Sequence, residues 1–483
     1  MGAAKYRTAL GTYIYVPMGA QDEGIGEECG VMGVFGGAEV ARRVLMGLYS
    51  LQHRGQESVG VAVANNNDIQ LVRRMGLVTE LTREEKVVDD LKGTAAIGHV
   101  RYSTTGRSNL NNAQPMLVST KRGPLAIAHN GNIVNAPEIR KEMEELGHIF
   151  QSTSDTEVIL HLIARSKKTD LFDAIAETLE KLTGAYCLVF LSKDAVYVAR
   201  DGYGFRPLCL GRLDKTWVVA SETCALDLLG ASYVRDIRPG EICRIDGEGI
   251  ESRDAVKKTR KAHCVFEFIY FARPDSRIFE ESCDKIRRRI GRQLAKEYPV
   301  SADVVISVPD SSNTAALGYA QESNTRFDIG LLRNHYVGRT FIDPSQNVRE
   351  QKVKLKFNTI AGVLRGKRVV MVDDSIVRGT TLKFLTKMLR DAGAAEVHIR
   401  ISSPPVVNPC YYGMDFPSKT ELIAGNMTKE ETRKLLGADS LEYLSIGGLL
   451  SVVPGSGGNY CAACFDGKYP ESIPDGSTKF RCE

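Results

Sequence analysis

The stretch that most constrains the fold is residues 367–381, which read KRVVMVDDSIVRGTT. Its β-branched apolar half predicts a buried strand that ends at Asp373 and Asp374, and its small, hydroxyl-rich half predicts a turn and a helix that runs to Gly393. Backbone N–H groups at the start of a helix bind anions readily. Because carboxylates repel phosphate, we expect the aspartates to bind ribose hydroxyls or Mg²⁺ and the turn to bind phosphate. The candidate phosphate ligands are Ser375, Arg378, Gly379 and Thr380. An aspartate pair that only caps a helix is the alternative.

A second apolar strand, 302–308, ends in a polar loop at 309–313 before a predicted helix at 314–321. Ligands of doubly wound α/β sheets bind outside the carboxyl ends of the strands, so we expect the two loops to converge. Both stretches resemble the type I phosphoribosyltransferases, which use phosphoribosyl pyrophosphate. The resemblance implies pyrophosphate at the first loop, and a Mg²⁺ ion surrounded by Ser311, Asp373 and Asp374.

Composition excludes several classes of protein. The 483 residues, of which 43% are hydrophobic, predict two or three domains with their own cores. The balance of 63 basic and 59 acidic residues is too even for a nucleic-acid-binding protein. No run reaches the roughly 18 apolar residues of a membrane span, and the first residues do not resemble a signal peptide. We therefore expect a cytoplasmic enzyme with neither nucleic-acid nor membrane partners.

Eleven cysteines without a secretory signal argue against a disulfide framework and for thiols that do chemistry or bind metal. Cys283 and Cys482 have no informative context and stay unassigned. Four others lie in apolar, strand-like runs and are expected in the core: Cys187, Cys209, Cys224 and Cys243.

Cys29 opens the run CGVMGVFGG after a lead of little periodicity, residues 1–28. If this lead is a leader that is cleaved, Cys29 has a free α-amine that acts as the base for its own thiol. A cysteine beside glycine at the start of a strand is more often structural, and that alternative stays open.

Segments 99–104 (HVRYST), 128–132 (AHNGN) and 154–157 (SDTE), together with 51–58 (LQHRGQES), resemble the glutamine amidotransferase domain of the N-terminal-nucleophile hydrolases. The resemblance implies that Arg101 binds the glutamine α-carboxylate, a group that arginine holds bidentately. It also implies that Asn130 and Gly131 donate to the tetrahedral oxyanion. A tight hairpin turn is the alternative for Asn-Gly.

Asp155 has two interpretations. Residues 154–157 form the pattern of a capping box at the start of a helix, which would explain this aspartate without catalysis. The resemblance adds that Asp155 receives the α-ammonium group of glutamine.

Joined in this order, residues from about 29 to 468 resemble the amidophosphoribosyltransferase family. The resemblance implies that Cys29 attacks glutamine and that ammonia travels inside the protein to phosphoribosyl pyrophosphate, where it displaces pyrophosphate. The products are 5-phosphoribosylamine and glutamate, in the first step of purine synthesis. It also implies a homotetramer, purine-nucleotide feedback inhibitors, and a mobile flap at 333–346 whose Arg333, His335 and Arg339 close over the donor.

The pair Cys461 and Cys464 forms a C-x-x-C motif that suits redox, zinc or cluster chemistry equally. Cys264 and Cys410 lie in segments that look like the iron–sulfur branch of the family, so the resemblance implies a structural [4Fe–4S] site with four thiolate ligands. Zinc would use the same ligands, although structural zinc generally takes two C-x-x-C pairs.

The predicted fold class is α/β. We expect a leader at 1–28, an α+β N-terminal-nucleophile sandwich of layers αββα at 29–262, and a doubly wound type I phosphoribosyltransferase domain with a cluster-binding tail at 263–483. Two other classes compete with this hypothesis. A non-catalytic sensor of phosphoribosyl pyrophosphate would not need the Cys29 and Asn130 segments, and amidotransferases that make glucosamine phosphate or asparagine would not need VVMVDDSIVRGTT.

Overall fold

The computed structural model describes residues 4–7, 13–16, 29–65, 68–102, 108–258, 260–334, 355–414, 416, 419 and 422–473. The chain divides into two compact units. The sandwich unit comprises residues 27–290, 407–419 and 445–483, and the parallel-sheet unit comprises 1–26, 291–406 and 420–444. Residues 263–290, 407–419 and 445–483, which lie within the predicted second domain, thus belong to the sandwich unit.

Two antiparallel sheets form the middle of the described part of the sandwich unit. The first sheet has the strand order Ser232–Asp236, Cys209–Leu213, Thr216–Ala220, Gly30–Phe35, Ala95–Arg101, Ser58–Ala64, Ile69–Met75. The second sheet has the order Gly249–Asp254, Glu241–Asp246, Val196–Arg200, Gly184–Leu191, Gly123–Ile133, Met116–Thr120.

The sheets face each other across an apolar layer that includes Val31, Ile97 and Val189. Their outer faces pack against amphipathic helices. Those on the first sheet are Val40–Ser50, Val78–Thr82, Glu85–Asp90 and Thr223–Leu229. Those on the second sheet are Ala136–Glu145, Glu157–Arg165 and Leu171–Leu179. Strands such as Gly184–Leu191 are buried along their whole length because both faces are covered. The four layers confirm the predicted αββα sandwich.

Short elements complete the description of this unit. The helical ones are the 3₁₀ turns Leu110–Asn112 and Pro454–Gly457, the π-helix Glu267–Phe271, and the α-helices Ile446–Val452 and Ala463–Asp466. The strands pair as His263–Cys264 with Tyr460–Cys461, and as Arg277–Ile278 with Glu281–Ser282. The helix Cys283–Glu297 runs through the residue boundary between the two units.

A parallel sheet organises the other unit, with the strand order Val304–Ser307, Arg368–Asp373, Glu396–Ile401, Ser440–Tyr443. On the opposite edge of the strand Val304–Ser307, Val305 forms a parallel bridge with Phe327. The chain after this strand therefore returns first on one side of it, at Phe327, and then on the other side, at Arg368–Asp373. The switch point of this doubly wound arrangement lies between Val304–Ser307 and Arg368–Asp373, where ligands of such sheets bind. The predicted α/β class is confirmed.

Helices and hairpins surround this sheet. The helices are Asn313–Ser323, Ala361–Leu364, Thr380–Asp391, Ile423–Asn426 and Lys429–Leu436. The antiparallel pairs are Leu331–Arg333 with Phe357–Thr359, and Ala4–Arg7 with Tyr13–Val16. Within the described ranges, no helix is long and apolar enough to cross a membrane.

Candidate active sites

Cys29 lies directly before the strand Gly30–Phe35, whose first residue pairs with Val100 in the strand that ends at Arg101. The Cys29 thiol is buried and its Sγ donates to the carbonyl of Tyr102 at 3.4 Å. Burial raises the pKa of this thiol to about 11, and the nearby Arg101 opposes the shift only in part. At neutral pH the thiol is therefore protonated, and nucleophilic attack requires a base.

Arg101 is 3% exposed and lies at the end of the strand beside Cys29. Its Nη1 is 3.5 Å from Oε2 of Glu57. The Arg101 guanidinium thus lies near the Glu57 carboxylate and also near the Cys29 thiol. This position suits an arginine that binds the carboxylate of a substrate.

Asn130 and Gly131 lie within the strand Gly123–Ile133, paired with the neighbouring strand Gly184–Leu191, so the hairpin-turn alternative is wrong. The Nδ2 of Asn130 is buried and has no hydrogen-bond partner among the described residues. Gly131 has φ of 146°, and a Cβ there would lie 2.0 Å from the carbonyl oxygen of Ala185. Leaving a buried donor unpaired costs free energy, and such a donor fits an oxyanion that forms only during the reaction.

The capping box predicted at 154–157 is wrong. Ser154 Oγ accepts from the N–H of Thr156 at 3.3 Å, and the helix Glu157–Arg165 begins without a side-chain cap. The Glu157 carboxylate instead accepts from the N–H groups of Gln151 and Ser152, each at 2.8 Å. A local turn therefore satisfies the groups that a capping box would use.

Asp155 is buried and anchors the end of the Asn130 strand, because its Oδ2 accepts from the N–H of Ile133 at 2.8 Å. It also lies close enough to Cys29 to raise the pKa of that thiol slightly. Arg101 and Asp155 therefore both lie near Cys29, one cationic and one anionic, as an amino-acid substrate with two charged ends would need. Asp155 also anchors the strand that carries Asn130.

Several residues at this site were not predicted. Gln114 accepts from the N–H of His129 at 2.7 Å and donates to Thr156 Oγ1 at 3.0 Å, so it joins the neighbours of Asn130 and Asp155. His99 Nε2 lies 3.0 Å from the carbonyl oxygen of His129, and burial lowers the pKa of His99 to about 3. These bonds join residues that are distant in sequence, and no spacing pattern signals them.

The two loops of the parallel-sheet unit converge as expected. Ser312 Oγ donates to Asp373 Oδ1 at 3.0 Å, and Ser311 Oγ donates to Asp374 Oδ2 at 2.5 Å. Burial, followed by the negative charge of Asp374, raises the pKa of Asp373 well above its usual range. A bound cation would reverse that effect. Ser311, Asp373 and Asp374 therefore form a compact set of oxygen atoms that suits a hard cation.

The predicted phosphate turn leads into the helix Thr380–Asp391, whose first turn contains no acidic residue. Gly379 is the N-cap and has φ of 77°, in the left-handed region that favours glycine. Ser375 Oγ donates to Asp374 Oδ1 at 2.5 Å. Arg378 and Thr380 lie in the same turn. The positive end of the helix dipole is thus free of competing carboxylates on its own first turn.

Arg333 ends the strand Leu331–Arg333, and its Nη1 lies 3.2 Å from Oδ2 of Asp310 in the first loop. This contact connects the first residue of the predicted flap to the loop at 309–313, where the resemblance predicts pyrophosphate. His335 and Arg339 lie outside the described residues.

The four predicted cluster cysteines all belong to the sandwich unit. Cys264 and Cys461 are register partners on adjacent parallel strands, and the N–H groups of Val407 and Asn408 both donate to the carbonyl of Cys464 at 3.0 Å. Burial raises the pKa of Cys464, and the charges of Cys264, Cys410 and Cys461 add to the shift.

A cationic centre bound beside Cys464 would reverse the rise in the pKa of this thiol. Thiolates are the usual ligands of iron–sulfur and zinc centres, but in the described ranges no three His, Cys, Asp or Glu side chains are arranged around a metal position.

The core positions predicted for Cys187, Cys209, Cys224 and Cys243 are confirmed, since each is at most 3% exposed. Cys283 is also buried, at the start of the helix Cys283–Glu297, and burial raises the pKa of its thiol. Cys482 lies outside the described residues.

Comparisons with known proteins agree with these sites. Residues 99–228 match the family described as a glutamine amidotransferase domain. The chain is 50% identical over 450 residues to the chloroplastic amidophosphoribosyltransferase of Vigna aconitifolia, covering 93% of this chain and 92% of that one. It is 50% identical over 452 residues to the amidophosphoribosyltransferase of Archaeoglobus fulgidus, covering 92% of this chain and 98% of that one.

A solved structure of the glutamine phosphoribosylpyrophosphate amidotransferase from B. subtilis, complexed with ADP and GMP, superposes with a TM-score of 0.89 and 46% identity over 94% of this chain and 100% of that chain. Identity and coverage at this level confirm the resemblance that the motifs indicated. The chain belongs to the amidophosphoribosyltransferase family, the glutamine-dependent phosphoribosyltransferases that catalyse the first step of purine synthesis.

Proposed function

We propose that Cys29 is the nucleophile of glutamine hydrolysis and that the parallel-sheet unit binds the phosphoribosyl pyrophosphate that receives the ammonia. The observation that carries this proposal is the buried amide of Asn130, a donor with no partner among the described residues, in the unit that holds Cys29. A donor of this kind supports an oxyanion hole, because it gains its partner only as charge develops in the transition state.

In the proposed glutamine reaction, removal of the leader 1–28 exposes the α-amine of Cys29, which takes the proton of the thiol. The thiolate attacks the amide carbon, and the Asn130 side chain and the Gly131 N–H donate to the oxyanion. Collapse of this intermediate breaks the C–N bond, and the leaving ammonia takes the proton from the amine. Water then hydrolyses the thioester to glutamate. Arg101 and Asp155 bind the α-carboxylate and α-ammonium groups of the substrate.

In the proposed transfer reaction, phosphate binds at the helix start through Ser375, Arg378, Gly379 and Thr380. Ser311, Asp373 and Asp374 would hold Mg²⁺, and the chemistry that this ion would supply there is neutralisation of the charge on pyrophosphate. Arg333 and Arg339 belong to a flap that covers the donor and excludes water. Ammonia attacks C1 of the sugar as the bond from C1 to pyrophosphate breaks.

We assign a structural [4Fe–4S] cluster to Cys264, Cys410, Cys461 and Cys464, supported by the register pairing of Cys264 with Cys461 and by the effect of the other three cysteines on the pKa of Cys464. The functional division into a leader 1–28, a glutaminase 29–262 and a transferase with a cluster-binding tail 263–483 is part of the proposal. So are a cytoplasmic location, a homotetramer and feedback inhibition by purine nucleotides. The B. subtilis relative complexed with ADP and GMP supports the last of these.

Separate assays of the two half-reactions test the proposal. Cys29→Ala should abolish glutamate release and leave ammonia-dependent formation of phosphoribosylamine intact. Asp373→Asn should do the reverse, with basal glutamate release retained. Intact mass of the purified enzyme reports whether residues 1–28 have been removed. Glutamate release that survives Cys29→Ala would contradict the proposal, and a sensor of phosphoribosyl pyrophosphate would release no glutamate at all.

A further inference from the structure

A buried chain of charged side chains crosses the sandwich unit behind the Cys29 site. Glu267, on the π-helix Glu267–Phe271, accepts from Arg54 Nη2 at 2.7 Å and lies 3.4 Å from Arg206 Nη1. The side chains of all three residues are at most 1% exposed. Glu222 adds a second carboxylate to Arg54 at 2.5 Å. We call Arg54, Glu267 and Arg206 the brace.

One end of the brace holds the nucleophile. Arg54 Nε donates to the carbonyl oxygen of Cys29 at 3.2 Å. The guanidinium is therefore bonded at once to the backbone of the nucleophile and to Glu267, and a shift of Glu267 would move the backbone that carries the thiol.

The other end of the brace holds a loop. Arg206 donates to the carbonyl oxygen of Tyr412 from Nε at 3.1 Å and from Nη2 at 2.7 Å. The Tyr412 ring stacks on Phe205, with centroids 4.2 Å apart. Two bonds to one carbonyl and a stacked ring fix the loop at residues 411–413 in position.

That loop lies against the oxyanion strand. Asn132 Nδ2 donates to the carbonyl oxygen of Tyr411 at 2.9 Å. Gly413 packs so closely on Gly131 that a Cβ at residue 413 would lie 3.1 Å from the Cα and carbonyl carbon of Gly131. A Cβ at Gly131 would itself lie 2.0 Å from the carbonyl oxygen of Ala185, so the backbone of Gly131 is closely packed against that strand as well as against Gly413.

We propose that Glu267 is a positioning residue for glutamine hydrolysis: through Arg54 and Arg206 it fixes the distance between the Cys29 thiol and the oxyanion donors Asn130 and Gly131. The inference rests on the proposed roles of those three residues. Buried ion pairs add little net stability, because desolvation offsets their attraction. Positional accuracy has a large effect, since displacement of a reacting group by about 1 Å costs up to roughly 100-fold in rate.

Glu267→Gln tests the proposal, because the amide keeps the shape of the side chain and loses the charge that joins the two arginines. We expect kcat for glutamine hydrolysis to fall about 10- to 100-fold, with the KM for glutamine and the ammonia-dependent activity unchanged. Glu241→Gln is the matched control, since Glu241 is also buried in this unit and is paired with Arg235 at 2.7 Å. The control should keep the parent kcat.

Gly413→Ala acts at the far end of the chain of contacts and removes no charge. Gly413 has φ of 100°, so alanine there is strained and its Cβ presses on Gly131. We expect the same loss of kcat. This variant decides the question if Glu267→Gln fails to fold.

Two thiol reagents separate positioning from general disruption. Iodoacetamide needs only the thiol, whereas a glutamine-like diazoketone also needs the oxyanion donors. We expect both variants to react normally with the first reagent and slowly with the second. A kcat for Glu267→Gln equal to that of Glu241→Gln would overturn the inference, as would a parent-like kcat for Gly413→Ala where Glu267→Gln does not fold, and so would equal slowing by both reagents. Absence of glutamate release from the parent enzyme would refute the proposed function rather than the brace.

Discussion

At the scale of single residues, the proposed role of Asn130 as an oxyanion donor gives the most direct prediction for catalysis. Its Nδ2 is buried without a partner among the described residues, so its hydrogen bond is available to the transition state. Asn130→Ala removes one oxyanion donor, and we expect kcat for glutamine hydrolysis to fall about 100- to 1,000-fold with little change in KM. Steady-state glutamate release measures both constants.

The control for this prediction is Asn135→Ala in the same unit. Asn135 bonds to the carbonyl of Lys181 and the N–H of Thr183, both in the structure itself, so its loss should affect stability and not kcat. A kcat for Asn130→Ala within about threefold of the parent would show that the oxyanion is stabilised elsewhere.

Residues with a signal in their immediate neighbours were the ones that the sequence could identify. Asp373 and Asp374 end an apolar run, so local pattern was sufficient to place them at the end of a strand. For Cys29, which follows a lead of little periodicity, the predicted role came from the resemblance of neighbouring segments to a known family. Gln114 and Arg54 act through bonds to the backbone at His129 and Cys29, which are distant in the sequence. Only the folded chain brings such partners together, and no local pattern contains that information.

At the scale of elements, the turn before the helix Thr380–Asp391 is the proposed phosphate site for the donor. Gly379 has φ of 77°, which costs a non-glycine residue roughly 1–2 kcal/mol. A Cβ there would also lie 3.0 Å from Cδ1 of Ile423. Gly379→Ala should lower the free energy of unfolding by about that amount, and distort the phosphate turn enough to raise the KM for phosphoribosyl pyrophosphate about 10-fold.

Gly366→Ala is the control that distinguishes the effect of backbone strain on stability from an effect on binding of phosphoribosyl pyrophosphate. Gly366 has a similar φ of 71° in the same unit, and a Cβ there meets nothing within 4 Å. Denaturant unfolding should therefore show a similar loss of stability in both variants, whereas only Gly379→Ala should change the KM. Equal KM values in the two variants would mean that the turn does not bind the donor.

Helices and strands were predicted correctly where a long run of apolar residues set their pattern. They were predicted wrongly where a short polar motif is compatible with two different local structures. The strand and helix around Asp373 were found because apolar runs fix both. Asn130-Gly131 is a frequent turn dipeptide, yet pairing with Gly184–Leu191 continues through it, so sheet hydrogen bonds override the local preference. The capping box at 154–157 failed for a related reason, since Glu157 bonds to the preceding backbone.

At the scale of the whole molecule, the compact units are assembled from separate stretches of chain. Residues 407–419 and 445–483 pack with 27–290, an arrangement that contiguous boundaries cannot represent. Amino-acid composition does not predict that these late segments pack with residues 27–290, because only a few short elements make the contacts. Cys264 beside Cys461 is one of them, and Val407 with Cys464 is another.

Because the four cysteines of the proposed cluster come from three of these stretches, their ligation should hold the sandwich unit together. Anaerobically purified enzyme should contain about four irons per chain, and Cys410→Ser should lose them. Loss of a cross-link of this kind costs about 2–5 kcal/mol, which lowers Tm by roughly 5–15 °C. Iron and sulfide analysis with thermal unfolding measures both effects.

The control is Cys243→Ser, which removes a buried thiol from the second sheet and should retain the iron. Zinc in place of iron would keep the cross-link and refute the cluster, whereas a metal-free enzyme with an unchanged Tm would refute both.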